Sequence, residues 1–356
     1  MKHPLMQLTA DLIDFPSESF NEAAIAHWLH GELSGIPGLE VIRIGDNIVA
    51  RTNLGRKYRI ALGGHLDTVP ENDNGTARFE GDELLYGLGA SDMKGGIAVM
   101  IALARAITEP AVDVTYVFYA REEVAIEHNG LRELFAEIPE YLEADVAILG
   151  EPTGAVIEAG CQGTMRAVVT LMGQRAHTAR PWMGRNSIHR LGGLLQALEA
   201  YEHREPVLDG CTYREAMQAV FVDGGVAGNV VPDKAAVTIN HRFAPDRSSA
   251  EAEAHMRSVV EPFMEDGDTF EIVDLSPAAK PDLRHPLMAS LTGRNNLIVR
   301  AKLGWTDVAF FSEKGIPAVN FGPGEATLAH TKNENIEAAK LIGTYAALED
   351  LLTVGV

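Results

Sequence analysis

In the stretch RIALGGHLD, residues 59–67, an apolar run leads directly into His65 and Asp67. A short, β-rich apolar run of this kind predicts a buried strand. His65 and Asp67 are two positions apart, so on an extended strand end their side chains point to the same side. The sequence therefore predicts polar chemistry at the end of a buried strand.

Similar runs recur through the first 155 or so residues and alternate with helix-length periodic stretches. The predicted order is a strand at 59–64, a helix at 95–107, a strand at 112–119, a helix at 131–135 and a strand at 146–149. Alternating strands and helices imply parallel strands with helical crossovers. We therefore predict an α/β domain whose mixed, mainly parallel sheet is flanked by helices.

The pattern changes from about Gly163. We predict strands at 165–172, 217–222, 234–243 and 269–275, and helices at 187–201 and 248–264. This β-α-β-β-α-β order is that of a ferredoxin-like module. The tail then returns to the first style, with a strand at 318–321 and a helix at 336–352. We predict that residues 1–162 and 277–356 form one domain, into which residues 163–276 are inserted.

Composition narrows the classes of function. A length of 356 residues favours two domains. The formal net charge of −20 argues against nucleic acid or an anionic membrane as the main partner. No signal-peptide core or membrane span is visible, which predicts a cytoplasmic protein. Cys161 and Cys211 lack metal-finger spacing and are expected to stay reduced, so metal ligands would be nitrogen and oxygen atoms.

Further polar residues follow apolar runs or glycine-rich turns elsewhere in the chain. They are Asp92, the pair Glu122 and Glu123, Glu151 and His330. In an open α/β sheet, ligands gather beyond the carboxyl ends of the strands. Two imidazoles and several carboxylates converging there predict a binuclear metal site.

Each element also has a simpler interpretation. His65 with Asp67 suits a capped turn, Asp92 suits a helix N-cap, and Glu122 with Glu123 suits a solvated loop. A dinucleotide fingerprint fails because Asp92 stands where the motif needs glycine, and a nucleophile elbow fails because its second glycine is missing. The agreement of five strand-terminal sites favours the metal centre.

Adjacent residues on an extended chain face opposite ways, so Glu122 and Glu123 are not expected to bind one ion in the same fashion. A division of labour follows, in which one carboxylate ligates and the other acts as a general base.

The chain resembles the M20 family of dinuclear zinc peptidases and deacylases over essentially its whole length. The resemblance rests on five segments, which are His65–Pro70, Gly87–Gly96, Arg121–Glu123, Gly150–Pro152 and His330. It implies a catalytic domain and an inserted lid and dimerisation domain. It also implies a cis peptide between Asp92 and Met93.

The resemblance assigns a role to each matched residue. Asp92 would bridge two zinc ions, His65 and Glu151 would complete one zinc site, and Glu123 and His330 would complete the other. Glu122 would be the general base, and Asp67 would orient His65. Co²⁺ or Mn²⁺ can substitute for zinc at such ligands.

The inserted module supplies a second set of candidates. The resemblance implies that it forms a homodimer and that His177 reaches the partner subunit's active site to donate a hydrogen bond to the oxyanion. A surface histidine is the alternative. The resemblance implies that Asn229 and Arg242 lie near the substrate. Arg166, Arg180 and Arg242 belong to a local excess of arginines that would suit a substrate carboxylate, since guanidinium groups bind carboxylates in bidentate fashion. Scattered solubilising arginines are the alternative here.

The expected reaction is hydrolysis of an amide in a small N-acyl amino acid. The resemblance at residues 158–164, 175–184 and 305–309 implies N-succinyl-LL-2,6-diaminoheptanedioate as the substrate, from which succinate would be released in lysine biosynthesis. N-acetylornithine deacetylation uses the same metal apparatus and is the alternative within the enzyme class. A non-catalytic, metal-dependent binding protein is the alternative from another class, and the presence of Glu122 beside Glu123 disfavours it.

Overall fold

The computed structural model describes residues 3–356. In chain order its helices are α1 (Pro4–Ile13), α2 (Ala23–Ser34), α3 (Gly95–Ala106), α4 (Gly130–Glu137), α5 (Ser187–Glu199), α6 (Ser249–Val260), α7 (Pro286–Arg294), α8 (Val308–Glu313) and α9 (Ala338–Val354). No helix within this described range is both long enough and apolar enough to cross a membrane.

The strands of the described chain follow the same order. They are β1 (Glu40–Ile44), β2 (Asn47–Arg51), β3 (Arg59–His65), β4 (Arg78–Glu80), β5 (Leu84–Tyr86), β6 (Asp113–Tyr119), β7 (Val146–Leu149), β8 (Ile157–Ala159), β9 (Gly163–Met172), β10 (Ala176–His177), β11 (Val207–Leu208), β12 (Cys211–Thr212), β13 (Ala216–Gly224), β14 (Val230–Val231), β15 (Lys234–Phe243), β16 (Thr269–Ser276), β17 (Val299–Ala301), β18 (Ala318–Asn320) and β19 (Asn335–Glu337).

The chain divides into two compact units. Unit 1 contains the chain up to Gly160 together with Pro281–Arg300 and Asp307–Val356, and unit 2 contains Cys161–Lys280 and Ala301–Thr306. The predicted insertion, residues 163–276, is shorter than unit 2, which also contains residues 161–162 and 277–280 and the separate segment 301–306. That segment belongs to unit 2 because the carbonyl of Lys302 accepts a hydrogen bond from the backbone N–H of Gln162 at 3.2 Å.

Unit 1 is built on an eight-stranded sheet in the order β1-β2-β6-β3-β7-β18-β8-β17. The four central strands β6, β3, β7 and β18 run parallel, whereas β1 and β2 are antiparallel to their neighbours. Strand β3 is buried along almost its whole length, as expected for a parallel strand covered on both faces. The predicted mixed, mainly parallel sheet is confirmed.

Unit 2 contains a four-stranded antiparallel sheet in the order β13-β15-β9-β16. Alternate residues of β15 are buried, and they join side chains of α5 and α6 in one hydrophobic core. The chain order β9-α5-β13-β15-α6-β16 is the predicted ferredoxin-like order. Because buried and exposed residues alternate along its strands, this module could be predicted from the sequence.

One buried residue of unit 2 predicts a pH dependence of stability. His241 on β15 is fully buried, and neither ring nitrogen has a hydrogen-bond partner among residues 3–356. Burial lowers the pKa of His241 to about 4 from a usual value of 6.5. As the pH falls from 6.5 towards 4, the unfolded chain takes up a proton that the folded chain does not. Stability is therefore lost in that window, by about 3 kcal/mol.

The substitution His241→Leu should remove this contribution because leucine carries no titrating group. We expect the melting temperature of the variant to fall less between pH 7 and pH 4 than that of the wild type, as measured by thermal unfolding at each pH. Equal slopes for the two proteins would show that His241 does not titrate on unfolding. The difference between the proteins is the readout, since carboxyl groups common to both also titrate below pH 5.

Candidate metal centre

Three neighbouring strands of unit 1 deliver polar side chains to one edge of the sheet. His65 is the last residue of β3 and pairs in register with Tyr119, the last residue of β6. Glu122 and Glu123 follow β6 by a few residues, and Glu151 follows β7, whose Leu149 pairs with Gly63. Because parallel strands end at the same sheet edge, these residues meet there.

Asp92 lies between the two histidines of the centre. Its Oδ1 is 3.1 Å from Nε2 of His65, and its Oδ2 is 3.6 Å from Nε2 of His330. His330, in the loop after β18, also lies 2.8 Å from Oε1 of Glu123 through the same Nε2. The two histidines that are 265 positions apart thus face the two oxygens of one carboxylate.

Two groups of donors share this carboxylate. One consists of His65, Asp92 and Glu151, and the other of Asp92, Glu123 and His330, with the donor atoms of each group within 4.8 Å of one another. Imidazole nitrogen and carboxylate oxygen atoms are ligands that zinc takes at about 2.0–2.2 Å. The residues present therefore fit a pair of divalent cations that share Asp92.

The charges at this edge also suit cations. Burial and repulsion by Asp307 raise the pKa of Glu122 well above its usual range. Hydrogen bonds with Asp92 and Glu123 raise the pKa of His330 to about 10. Burial opposes the charged form of His65, yet hydrogen bonds with Asp67 and Asp92 raise its pKa well above 6.5. Each of these shifts favours a bound proton, as expected where carboxylates cluster, and a pair of dications would offset the same negative charge.

Asp67 holds the backbone of the centre together. Its carboxylate accepts hydrogen bonds from Ser19 Oγ at 2.7 Å and from the backbone N–H groups of Glu122 and Glu123 at 3.0 and 3.1 Å. Nδ1 of His65 lies 3.6 Å from that carboxylate and 3.0 Å from the Asp67 backbone carbonyl. The ring of His65 is therefore oriented mainly by a backbone acceptor, which leaves its Nε2 towards Asp92.

The turn that carries Asp92 is held by a residue that sequence reasoning missed. Glu334 is buried, and its Oε1 accepts hydrogen bonds from the N–H groups of Ser91 and Asp92, both at 3.0 Å. The peptide between Asp92 and Met93 is cis, as the resemblance implied. Glu334 follows His330 by four residues in a polar loop, where nothing in the sequence marks it as buried.

A second buried carboxylate also escaped the sequence reasoning as a site residue. Asp307 accepts hydrogen bonds from Nδ2 of Asn129 at 3.0 Å to each oxygen. Burial raises the pKa of Asp307 to about 6, although the hydrogen bond from Asn129 opposes the shift. Asn129 also caps α4 by accepting from the N–H of Leu131 at 2.9 Å. This pair joins the start of α4 to the start of α8.

Unit 2 places His177 and Asn229 next to each other. Strand β10 pairs with β14, and the N–H of Thr178 donates to the carbonyl of Asn229 at 3.0 Å. Nδ1 of the exposed His177 accepts a hydrogen bond from the N–H of Ala179 at 3.0 Å. In the neutral ring the proton then lies on Nε2, which is available as a donor.

The arginines of unit 2 differ in their availability. Arg166 pairs with Asp274 at 3.0 Å, so it would have to release that carboxylate to bind another. Arg180 is exposed and Arg242 is half-buried, and neither forms an ion pair among the described residues. Burial lowers the pKa of Arg242. The expected positive cluster is therefore smaller than the sequence suggests, and Arg180 and Arg242 are its open members.

Comparison with protein-family models identifies the class. The chain belongs to peptidase family M20/M25/M40, whose model matches residues 61–353. The matched range includes all the metal-ligand candidates described above, and the family indicated by the sequence motifs is confirmed.

Two similar relatives bear names that agree on an activity. A protein of Mycobacterium tuberculosis named "Putative succinyl-diaminopimelate desuccinylase DapE" is 50% identical over 350 residues, covering 98% of this chain and 96% of that protein. Succinyl-diaminopimelate desuccinylase of Corynebacterium glutamicum is 43% identical over 354 residues, covering 97% and 95%.

Solved structures share the fold at lower identity. A tripeptidase of Staphylococcus aureus superposes with a TM-score of 0.79 at 21% identity, covering 98% of this chain and 97% of that one. The YXEP protein of Bacillus subtilis, described as a dinuclear metal binding peptidase from the M20 family, superposes with a TM-score of 0.72 at 18% identity, covering 98% and 96%.

Proposed function

We propose that this protein hydrolyses N-succinyl-LL-2,6-diaminoheptanedioate to LL-2,6-diaminoheptanedioate and succinate, in the cytoplasm, as a step of lysine biosynthesis. The observation that supports it best is the position of Asp92 between His65 and His330, in a chain half identical to a relative of that name. The cofactor is two zinc ions per subunit. Small N-acyl amino acids are the substrate class.

The proposed ligands divide between the two ions. His65 and Glu151 would hold one ion, Glu123 and His330 would hold the other, and Asp92 would be shared between the two sites. When bound, zinc polarises a carbonyl group and lowers the pKa of water. The Nδ1 side of His65 stays engaged with Asp67, which fixes the tautomer that presents Nε2 as a ligand.

Glu122 is the proposed general base. Its backbone is fixed by the hydrogen bond from its N–H to Asp67, and its side chain lies in the same cluster as His65 and Glu123. It accepts a proton from the attacking water and passes that proton to the amine nitrogen as the C–N bond breaks. The products are succinate and the free amine.

A dimer through unit 2 is part of the proposal. Strand β13 is an edge strand of its sheet, and its side chains Val220, Phe221 and Val222 are 44%, 71% and 55% exposed. A long apolar edge strand invites pairing with another chain. A second copy of unit 2 would cover this edge, and the family resemblance then implies that His177 of each copy acts at the partner's centre.

His177→Ala should lower kcat by about 10²- to 10³-fold, the effect of losing one donor to a developing oxyanion. Metal content should stay at the wild-type level because His177 is not among the metal ligands. Mixed dimers of His177→Ala with Glu122→Gln should recover about a quarter of wild-type activity after random exchange, since one complete site forms in each mixed dimer. If the mixtures stay as inactive as the separate variants, His177 does not act in the partner subunit's site.

Recognition of the succinyl carboxylate is assigned to unit 2. Arg242 and Arg180 are the open guanidinium groups, with Asn229 beside His177 as a polar neighbour. Arg166 contributes only if Asp274 is displaced. A planar guanidinium binds a carboxylate through two parallel hydrogen bonds, and this geometry separates succinyl from acetyl substrates.

Parallel assays with zinc-loaded protein test the proposed activity. We expect kcat/KM for N-succinyl-LL-2,6-diaminoheptanedioate to exceed that for N-acetylornithine by at least about a hundredfold, because the acetyl group leaves the carboxylate-binding residues unpaired. Arg242→Gln should reduce the difference in kcat/KM between the two substrates. Preference for N-acetylornithine would replace the proposed substrate, and hydrolysis of neither would overturn the proposal.

A further inference from the structure

Unit 1 contains a cavity of about 530 Å³ beside the candidate metal centre. It is lined by Phe20, Arg121, Glu127, His128, Arg132 and Glu133, among others. Cavities of about 300–1,000 Å³ are typical of small-molecule sites. Nothing in the proposed reaction so far uses this cavity.

Two residues of the cavity wall are chain neighbours of residues at the centre. Arg121 precedes the proposed base Glu122 in the chain. Phe20 follows Ser19, whose hydroxyl donates to Asp67 at 2.7 Å. The cavity wall is therefore continuous in the chain with the segments that hold the proposed base.

Part of the cavity wall is a fixed ion pair. Arg121 donates to Glu133 at 2.6 Å and to the carbonyl of His128 at 2.8 Å, and Glu133 also accepts from Asn47 at 2.9 Å. These groups satisfy one another, so they shape the wall without offering free charge.

Two charges of opposite sign remain. The guanidinium of Arg132 and the carboxylate of Glu127 both belong to exposed residues, and neither forms an ion pair or side-chain hydrogen bond within residues 3–356. A ligand with one carboxylate and one ammonium group would pair with both. A ligand with a single charge would leave one of them unpaired.

Phe20 provides an apolar surface in the wall of the same cavity. It is 57% exposed, and its backbone φ of 74° lies in the left-handed region that is unfavourable for a residue with a side chain. Its ring packs edge-on against His128 at a centroid distance of 5.3 Å. An exposed aromatic ring held in such a conformation is suited to contact a methylene chain.

We propose that this cavity binds an α-amino acid head group, with Arg132 pairing with its carboxylate and Glu127 with its ammonium group. The proposal rests on the proposed function, because the end of N-succinyl-LL-2,6-diaminoheptanedioate remote from the scissile amide is such a head group. Arg132 and Glu127 then determine specificity for the leaving amine, and Phe20 lies along its methylene chain.

A comparison of four substrates separates the contributions of the remote carboxylate and the remote ammonium group to binding. The full substrate is compared with N²-succinyl-L-lysine, which lacks the remote carboxylate, with N-succinyl-L-2-aminopimelate, which lacks the remote ammonium group, and with N-succinyl-L-norleucine, which lacks both. We expect KM of the wild type to rise at least about tenfold for each group removed, equivalent to about 1.4 kcal/mol.

Arg132→Gln should raise KM about tenfold for the full substrate and leave KM for the norleucine compound unchanged. In this variant, removing the remote carboxylate from the substrate should raise KM no further. Glu127→Gln should behave in the same way towards the ammonium group. Arg284→Gln is the matched control, since its side chain is 83% exposed in unit 1, and it should match the wild type on all four substrates. Equal effects of Arg132→Gln on every substrate would overturn the proposal.

Failure of the proposed function gives a different pattern. If the protein hydrolyses another acyl group instead, the comparison is repeated with four substrates in which that acyl group replaces succinyl on the same amines. If no acyl amino acid is hydrolysed, calorimetry with free LL-2,6-diaminoheptanedioate and zinc-loaded protein decides. Binding by the wild type that weakens at least about tenfold in Arg132→Gln supports the cavity. Equal binding by both, or none by the wild type, contradicts it.

Discussion

Replacing Glu122 with glutamine should lower kcat by about 10²- to 10⁴-fold, the range expected when a general base is lost. Glutamine keeps the shape of the side chain but accepts no proton. Glu122 is absent from both donor groups that contain Asp92, so the variant should keep its metal content. Turnover of N-succinyl-LL-2,6-diaminoheptanedioate and metal analysis by mass spectrometry on the same sample check both expectations.

The control for this change is Glu137→Gln, an exposed carboxylate at the end of α4, which should leave kcat unchanged. Near-normal turnover by Glu122→Gln would assign the base to another group. Loss of metal would have a different meaning, because His65, Glu122 and Glu123 also lie close enough together to hold an ion. In that case Glu122 would be a ligand.

Asp92→Asn should have an effect of similar size through a different cause. Both oxygens of Asp92 face a histidine, so the substitution removes a charged ligand from both proposed sites at once. We expect fewer than one bound ion per chain and a fall in kcat/KM of at least about 10³-fold, as expected when metal catalysis is lost. Metal analysis after dialysis, with kcat/KM at a fixed zinc concentration, measures both.

The control here is Asp73→Asn, an 82% exposed carboxylate that pairs with Lys332 at 2.8 Å and belongs to neither donor group. It should bind metal as the wild type does. An Asp92→Asn protein that still binds two ions and turns over normally would show that the two cations, if present, are not joined by this residue.

The sequence predicted the strands and the site residues at their ends because both depend on local patterns. The run at 59–65 is apolar and β-rich, and His65 follows it immediately, so the strand and its polar end are visible together. The parallel arrangement then places Glu123 and Glu151 at the same edge without further information. The alternation in β15 identified the second sheet in the same way.

The supporting contacts were beyond prediction because they join residues distant in sequence. Glu334 reaches Asp92 across 242 positions, and Asn129 reaches Asp307 across 178. No local periodicity marks either pair. The antiparallel hairpin of β1 and β2 was missed for a related reason, since its place beside β6 depends on pairing and not on composition. The pairing of Arg166 with Asp274 likewise changed which arginine side chains are available to bind a substrate carboxylate.

Stepwise reactivation of metal-free protein tests the central claim most directly. The ions are removed with a chelator, zinc is returned in measured amounts, and bound zinc and hydrolysis of the succinyl substrate are followed together. We expect negligible activity without metal and full activity when about two ions are bound per chain, because the donor groups that share Asp92 would each hold one. Full activity in the metal-free protein would contradict this expectation. So would activity that reaches its maximum although no zinc is bound at Asp92.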